Sequence, residues 1–282
     1  MPSYETPEPI DVQIDLSVGD IRVLAGSGAQ TIVEVVPTNP AKKGDVTAAE
    51  QTRVEFAAGR LDIKAPKTWK RYTPFNDGGS VDVRIELPAG SALSGRADMT
   101  ALQVSGPLGD CRFSSGMGTL QLDAAQSLDL RTGAGDVIVG HAAGALEVST
   151  GTGKIRIDVT DGSAVVKNSN GDCFIGEAGA DLRVNTALGD IRVDQARGPV
   201  SAKTAKGDVR VSGLTRGSVV VESGMGEPDL GIADGSAAYL DLHTGFGTVR
   251  SELDASEAPE SRENTVDVRG KTGMGDITVR RS

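Results

Sequence analysis

The sequence predicts an all-β protein: a parallel β-solenoid with about 18 residues and two strands per rung, roughly ten rungs, and an N-terminal antiparallel β cap. Three observations carry this expectation. A small-polar/glycine tetrapeptide recurs at near-constant spacing, apolar residues alternate with polar ones on both sides of it, and 37 of 282 residues are glycine while aromatics make up only 3%. That glycine share is nearly twice the usual ~7%.

The repeat comes first, because a fixed period decides the architecture. The pattern [Ser/Thr/Asn]-[Gly/Ala/Ser]-x-Gly occurs nine times, closing on Gly118, Gly135, Gly153, Gly171, Gly189, Gly207, Gly226, Gly247 and Gly275. Successive closing glycines are 17, 18, 18, 18, 18, 19, 21 and 28 residues apart. Thr100 to Val104 reads as an earlier, degenerate copy. Each closing glycine is followed by a short alternating run such as Asp190-Ile191-Arg192-Val193, and about ten residues later by a second such as Leu182-Arg183-Val184. Period-two alternation buries one face of each strand. Two strands per 18 residues leave no room for a crossover helix, so a strand–turn–strand–turn coil stacked on itself is the arrangement that fits.

Parity then assigns sides. Val137 and Val139, Ile155 and Ile157, Ile191 and Val193, and Val209 and Val211 should face inward on one sheet. Leu128 and Leu130, Leu146 and Val148, Leu182 and Val184, and Leu240 and Leu242 should do so on the other. Cys173 takes the slot of Ile155, and Cys111 that of Leu128, so both thiols read as small buried hydrophobes. Residues 1–95 lack the period but carry strand-like runs at 11–16, 20–24, 30–36, 52–57, 60–65 and 80–87; they are read as the cap and 96–282 as the repeat domain. A cap is needed because an open solenoid edge templates aggregation. An acidic insert, 254–264, expands one rung before the last repeat.

The phrase Gly-Asp-[Ile/Val]-x-Val, preceded by Thr-Gly-x-Gly and echoed at Gly19-Asp20-Ile21-Arg22-Val23, resembles the bacterial β-strand-repeat family of putative adhesins, over about 95–280. The resemblance implies a repeat domain of unknown function with adhesion as its expected role, and it brings no catalytic residues with it.

Composition excludes several classes. No apolar run approaches the ~18 residues of a membrane helix. The glycines do not fall every third residue, as collagen requires. A net charge of −10 argues against a nucleic-acid partner, which needs clustered cations. The N-terminus shows neither a basic region nor an apolar core, which predicts a cytoplasmic location with no visible signal peptide; a surface location stays open if residues have been trimmed.

The candidate chemistry is sparse. Asp136, Asp172, Asp190, Asp208 and Asp276 follow the repeat glycine, and three of them should stack on successive rungs. Their charges could be relieved by Arg156, Arg192 and Arg210, by turn amides, or by Ca²⁺; the ligand count falls short of the six to eight oxygens Ca²⁺ takes, and no cofactor or metal is expected. The small polar residue of each tetrapeptide should line the turn as a hydroxyl ladder bonding turn amides. His141 and His243 have no ligand-spaced partner, and an enzyme is not expected. Two features exceed a purely structural reading. One is the loop 67–79 with Trp69, Lys70, Arg71, Tyr72 and Phe75, either a core plug or a contact surface for a sugar or protein. The other is the turn-tip trio Met225, Phe246 and Met274, which alignment of the turns would gather into an apolar strip. A protein partner or self-association is the leading expectation, as a scaffold that presents repeat faces or polymerises. A carbohydrate partner, as in carbohydrate-active β-helices, is the alternative.

Overall fold

The computed structural model describes residues 2–66, 79–253 and 265–282. Trp69, Lys70, Arg71, Tyr72 and Phe75, and the acidic insert 254–264, lie outside the described residues. The protein is a β-solenoid, and its chain divides into two compact units, Met1–Ile138 and Val139–Ser282.

The first unit contains β1 (Ser3–Glu5), β2 (Asp11–Val18), β3 (Ile21–Gly26), β4 (Gln30–Pro37), α1 (Lys43–Gln51), β5 (Arg53–Ala57), β6 (Arg60–Lys64), β7 (Val81–Pro88), β8 (Ala92–Met99), β9 (Leu102–Met117) and β10 (Leu120–Ala134). The expected antiparallel pairing is present where β1 meets β4, β4 meets β7 and β5 meets β6. Beside it, parallel rungs begin earlier than the 18-residue period does. Strand β2 lies between β6 and β8, and β3 lies between β7 and β9, all parallel. The Gly19 echo is thus a true rung, stacked on the degenerate copy at Thr100 although 81 residues separate them: Ile21 sits opposite Leu102, and the Thr100 hydroxyl donates to the Gly19 carbonyl. Helix α1 lies in a stretch for which the sequence supplied no element. Its Asp45 is buried and accepts from the backbone N–H groups of Asn39 and Ser80, at 3.1 and 2.9 Å, which ties it to both flanking segments. Phe113 is fully buried, and Gly95 makes room for it, since a Cβ there would lie 2.9 Å from the ring.

Strand β11 (Val137–Ala142) carries the chain into the second unit. There follow β12 (Leu146–Thr152), β13 (Ile155–Thr160), β14 (Ala164–Asn170), β15 (Cys173–Ala178), β16 (Leu182–Leu188), β17 (Ile191–Ala196), β18 (Val200–Lys206), β19 (Val209–Leu214), β20 (Gly217–Met225), β21 (Pro228–Ile232), β22 (Ala237–Phe246), β23 (Val249–Ser251), β24 (Thr265–Met274) and β25 (Ile277–Arg281). Even-numbered strands stack in one parallel sheet and odd-numbered strands in the other. Ile155, Cys173, Ile191 and Val209 form one inward ladder, and Leu146, Ala164, Leu182, Val200 and Val219 the other, all essentially inaccessible. The inward parity read from the sequence holds for Leu146, Ile155, Cys173, Leu182, Ile191 and Val209, because a one-residue slip would expose every ladder at once.

Rung order at the C-terminal end departs from chain order. Strand β24 lies between β20 and β22, and β25 pairs with both β21 and β23. The last repeat in sequence is therefore the penultimate rung in space, and β22–β23 is the outermost. Leu240 and Leu242, expected inside, are only half-buried, because β22 has a rung on one side alone among the described residues. Gly270 of β24 leaves the space that Leu242 enters, while Val266 and Val268 of the same strand are fully buried.

Val209 is fully buried, so Val209→Asp should cost about 3–5 kcal/mol, the range for an uncompensated buried charge; a urea midpoint equal to that of the wild type would refute the register. Gly189 sits at φ +137°, and a Cβ there would lie closer than 3.0 Å to the Gly171 carbonyl. Gly189→Ala should therefore destabilise by about 2 kcal/mol or more, read in the same denaturation assay.

Candidate functional site

The turn after each even-numbered strand of the second unit is one column of near-identical chemistry. Its closing glycines adopt positive φ, for example +137° at Gly189 and +148° at Gly207, which other residues enter only with strain. In four rungs the small polar residue, buried except for the half-buried Thr244, donates to the carbonyl of the glycine on the neighbouring rung. Thr204 bonds Gly189 at 3.2 Å, Ser223 bonds Gly207 at 3.0 Å, Thr272 bonds Gly226 at 2.9 Å and Thr244 bonds Gly275 at 2.9 Å. The hydroxyl ladder thus satisfies carbonyls rather than amides: the glycine N–H already donates to the next rung, as from Gly189 to the Lys206 carbonyl at 3.0 Å.

The aspartate that follows Gly171, Gly189, Gly207 and Gly275 serves the opposite polarity. Oδ1 of Asp172 accepts the Asp190 N–H at 3.2 Å, Asp190 accepts that of Asp208 at 2.8 Å, and Asp208 accepts that of Glu227 at 2.8 Å. Asp276 does the same for Thr248 at 2.8 Å. Amides of the next rung, more than arginines, relieve the stacked carboxylates, although Lys154 approaches Asp172 at 3.7 Å and Arg250 approaches Asp276 at 3.9 Å. The arginine ladder finds other partners. Arg156 pairs with Asp158 and Arg192 with Asp194, both at 2.8 Å, because residues two apart on a strand share a face. Arg210 and Arg280 both bind Asp229 at 2.9 Å. The hydrogen bond to Asp229, and then its charge, hold the Arg280 guanidinium above its ordinary pKa. These groups line a shallow depression of about 590 Å³ with Asp190, Asp208 and Glu227. Beside it, Arg156 lies 4.7 Å and Arg192 5.9 Å from the centre of the Phe174 ring. Each arginine of this face thus has a carboxylate partner.

The turn tips point to solvent. In the second unit the register places Thr152, Asn170, Leu188, Lys206, Met225, Met274 and Phe246 in that spatial order. Met225, Met274 and Phe246, singled out in the sequence, fall on three adjacent strands and are 45%, 50% and 78% exposed. In the first unit Met99 stands opposite Met117 at the same turn position, and both are exposed. Sequence reasoning passed over this pair, although Met117 occupies the tip of the first full tetrapeptide.

Other reactive groups are quiet. Cys111 and Cys173 are buried, and loss of water pushes their thiols up to about 12 and about 11. His141 Nε2 lies 2.8 Å from Asp161 Oδ2 on the surface. Among the described residues no group of three or more His, Cys, Asp or Glu could hold a metal, and no helix is long and apolar enough to cross a membrane.

The rungs, turn ladders and tip column define a β-solenoid repeat protein. The Toastrack DUF4097 family model matches residues 10–282, and the chain belongs to that family. No curated protein matches it in sequence. Among solved structures it is similar to a putative adhesin from Bacteroides fragilis, at 14% identity over 99% of this chain and 95% of the other, with a TM-score of 0.41. It is also similar to a putative adhesin from Parabacteroides merdae, at 11% identity over 100% and 95%, TM-score 0.41. A putative cell adhesion protein from Clostridium sporogenes matches at 12% identity over 100% and 98%, TM-score 0.28.

The two thiols supply a direct check. A thiol reagent at pH 8 should find almost no reactive cysteine in the folded protein and both after denaturation, since burial blocks access and suppresses the thiolate. Because the folded thiol pKa values lie above the ordinary 9.0, the thiols favour the folded state below pH about 9 and progressively oppose it as pH rises from there toward about 11–12. Cys111→Ala/Cys173→Ala should soften the alkaline fall in stability.

Proposed function

We propose that the protein is a non-enzymatic interaction scaffold that presents its turn column to a protein partner. The observation that carries the reading is the apolar strip of Met225, Met274 and Phe246, exposed on three adjacent in-register strands about 4.8 Å apart. A flexible thioether adapts its shape to what it meets, and an aromatic ring supplies an anchor of large area. The rungs beneath hold the strip rigid, so little side-chain and backbone order has to be gained on binding. Nearby, Asp276 accepts the Thr248 N–H and faces Arg250, and Arg269 pairs with Asp267.

Met225→Ser/Phe246→Ser/Met274→Ser should fold as the wild type does, because all three side chains are exposed, and should weaken partner capture by about tenfold or more. The measurement is a quantitative pull-down from the native host with wild type and variant side by side, with thermal melts of both. Equal capture by a folded variant would refute the reading.

A further inference from the structure

We propose that the outer edge of β22 is a self-docking surface, on which β22 of a second copy of this chain pairs antiparallel, centred on Leu242. The inference rests on the reading of this end of the second unit as an interaction surface, and it names the partner.

Strand β22 runs from Ala237 to Phe246 and, among the described residues, pairs with β24 on one side only. Along the other side, alternate backbone N–H and C=O groups have no ladder partner among the described residues. Such edges are adhesive, and proteins usually blunt them with Pro, Lys, a bulge or a covering element. Ala237–Phe246 contains no Pro, Lys or Arg, and its pairing with β24 has no register shift. The apolar exposure of the unit concentrates there too: Tyr239 is 62% exposed and Phe246 78%, with Val249 of β23 at 40% beside them.

The sequence of the strand identifies the occupant, because it is complementary to itself in reverse. In an antiparallel pair centred on Leu242, inward residues meet inward residues and outward meet outward. Asp241 then stands opposite His243 of the second copy, twice by symmetry. Tyr239 falls opposite Gly245 and Phe246 opposite Ala238, so the two largest side chains meet two of the smallest. A register centred on Asp241 sets that carboxylate against its own copy, and one centred on His243 does the same with the imidazole; like groups directly opposite each other are unfavourable. The two-fold pairing uses up the edge in both chains, so assembly stops at a dimer rather than growing into a fibre.

Sedimentation velocity on the full chain, over an about hundredfold range of concentration, should show a dimer in equilibrium with monomer. His243→Asp and Asp241→Lys should each raise the dissociation constant about tenfold or more, with melting temperatures close to that of the wild type, since both residues are exposed. Mixing the two variants should restore dimers, because one opposed pair is then Lys against Asp and the other keeps the Asp241–His243 contact, with no carboxylate facing a carboxylate, and Asp241→Lys/His243→Asp should restore them within one chain. Monomer mass at every concentration, or dimerisation indifferent to the charge swaps, would overturn the proposal. So would strong hydrogen-exchange protection of the β22 amides in a particle of monomer mass, which would place another segment on the edge. A monomer that still captures a partner through Met225, Met274 and Phe246 overturns the dimer and leaves the interaction reading intact; loss of that capture dependence in a charge-controlled dimer does the reverse.

Discussion

The whole repeat depends on one close approach, in which the carbonyl of each turn glycine occupies the place where the next glycine would carry a Cβ. Gly171, Gly189, Gly207, Gly226, Gly275 and Gly247 repeat this contact from rung to rung in the second unit. A side chain at any of them would push neighbouring rungs beyond ladder distance, so the glycine is required by the stacking as much as by its positive φ. Once the turn carbonyls are stacked, each needs a donor and each following amide needs an acceptor. The buried Ser, Thr or Asn before the glycine supplies the first, and the Asp after it supplies the second. The tetrapeptide and the aspartate that trails it in most copies are thus one device, and the tip is the position where the turn varies most widely, from Thr152 to Lys206 to Phe246.

The ends of a parallel stack are its weak points, and this chain treats them by rearranging rung order. In the first unit the earliest rung, β2–β3, is covered on one side by β6–β7 and on the other by β8–β9, and antiparallel strands continue from there. In the second unit the last repeat slips between the two before it, which buries Val266 and Val268 and moves β22–β23 outward. The outward rung is the one with the exposed aromatics. A strand placed there buries less apolar surface than an interior rung, and the half-buried state of Leu240 and Leu242 records that loss.

Surface electrostatics, for a chain with net charge −10, are local. Arginines bind carboxylates two residues away on the same strand or on the next rung, and exposed pairs of this kind contribute little to stability, on the order of 0–1 kcal/mol each.

The sequence by itself determined the period, the turn chemistry and the inward parity, because each follows from contacts between residues one repeat apart: Ile155, Cys173, Ile191 and Val209 had to face the same way if any of them did. It also marked Met225, Phe246 and Met274 as tip residues. The tertiary structure alone decided what depends on contacts far apart in the chain. That Ile21 stacks on Leu102, that a helix occupies 43–51, that the Asp ladder binds amides instead of arginines, and that Met274 stands between Met225 and Phe246 all turn on which rung lies next to which. Local pattern fixes how a rung is built, since its glycine, hydroxyl and apolar slots are set within 18 residues. Neighbour choice is a comparison of whole interfaces, and nearly identical rungs offer nearly identical local signals, so only the packed structure ranks them.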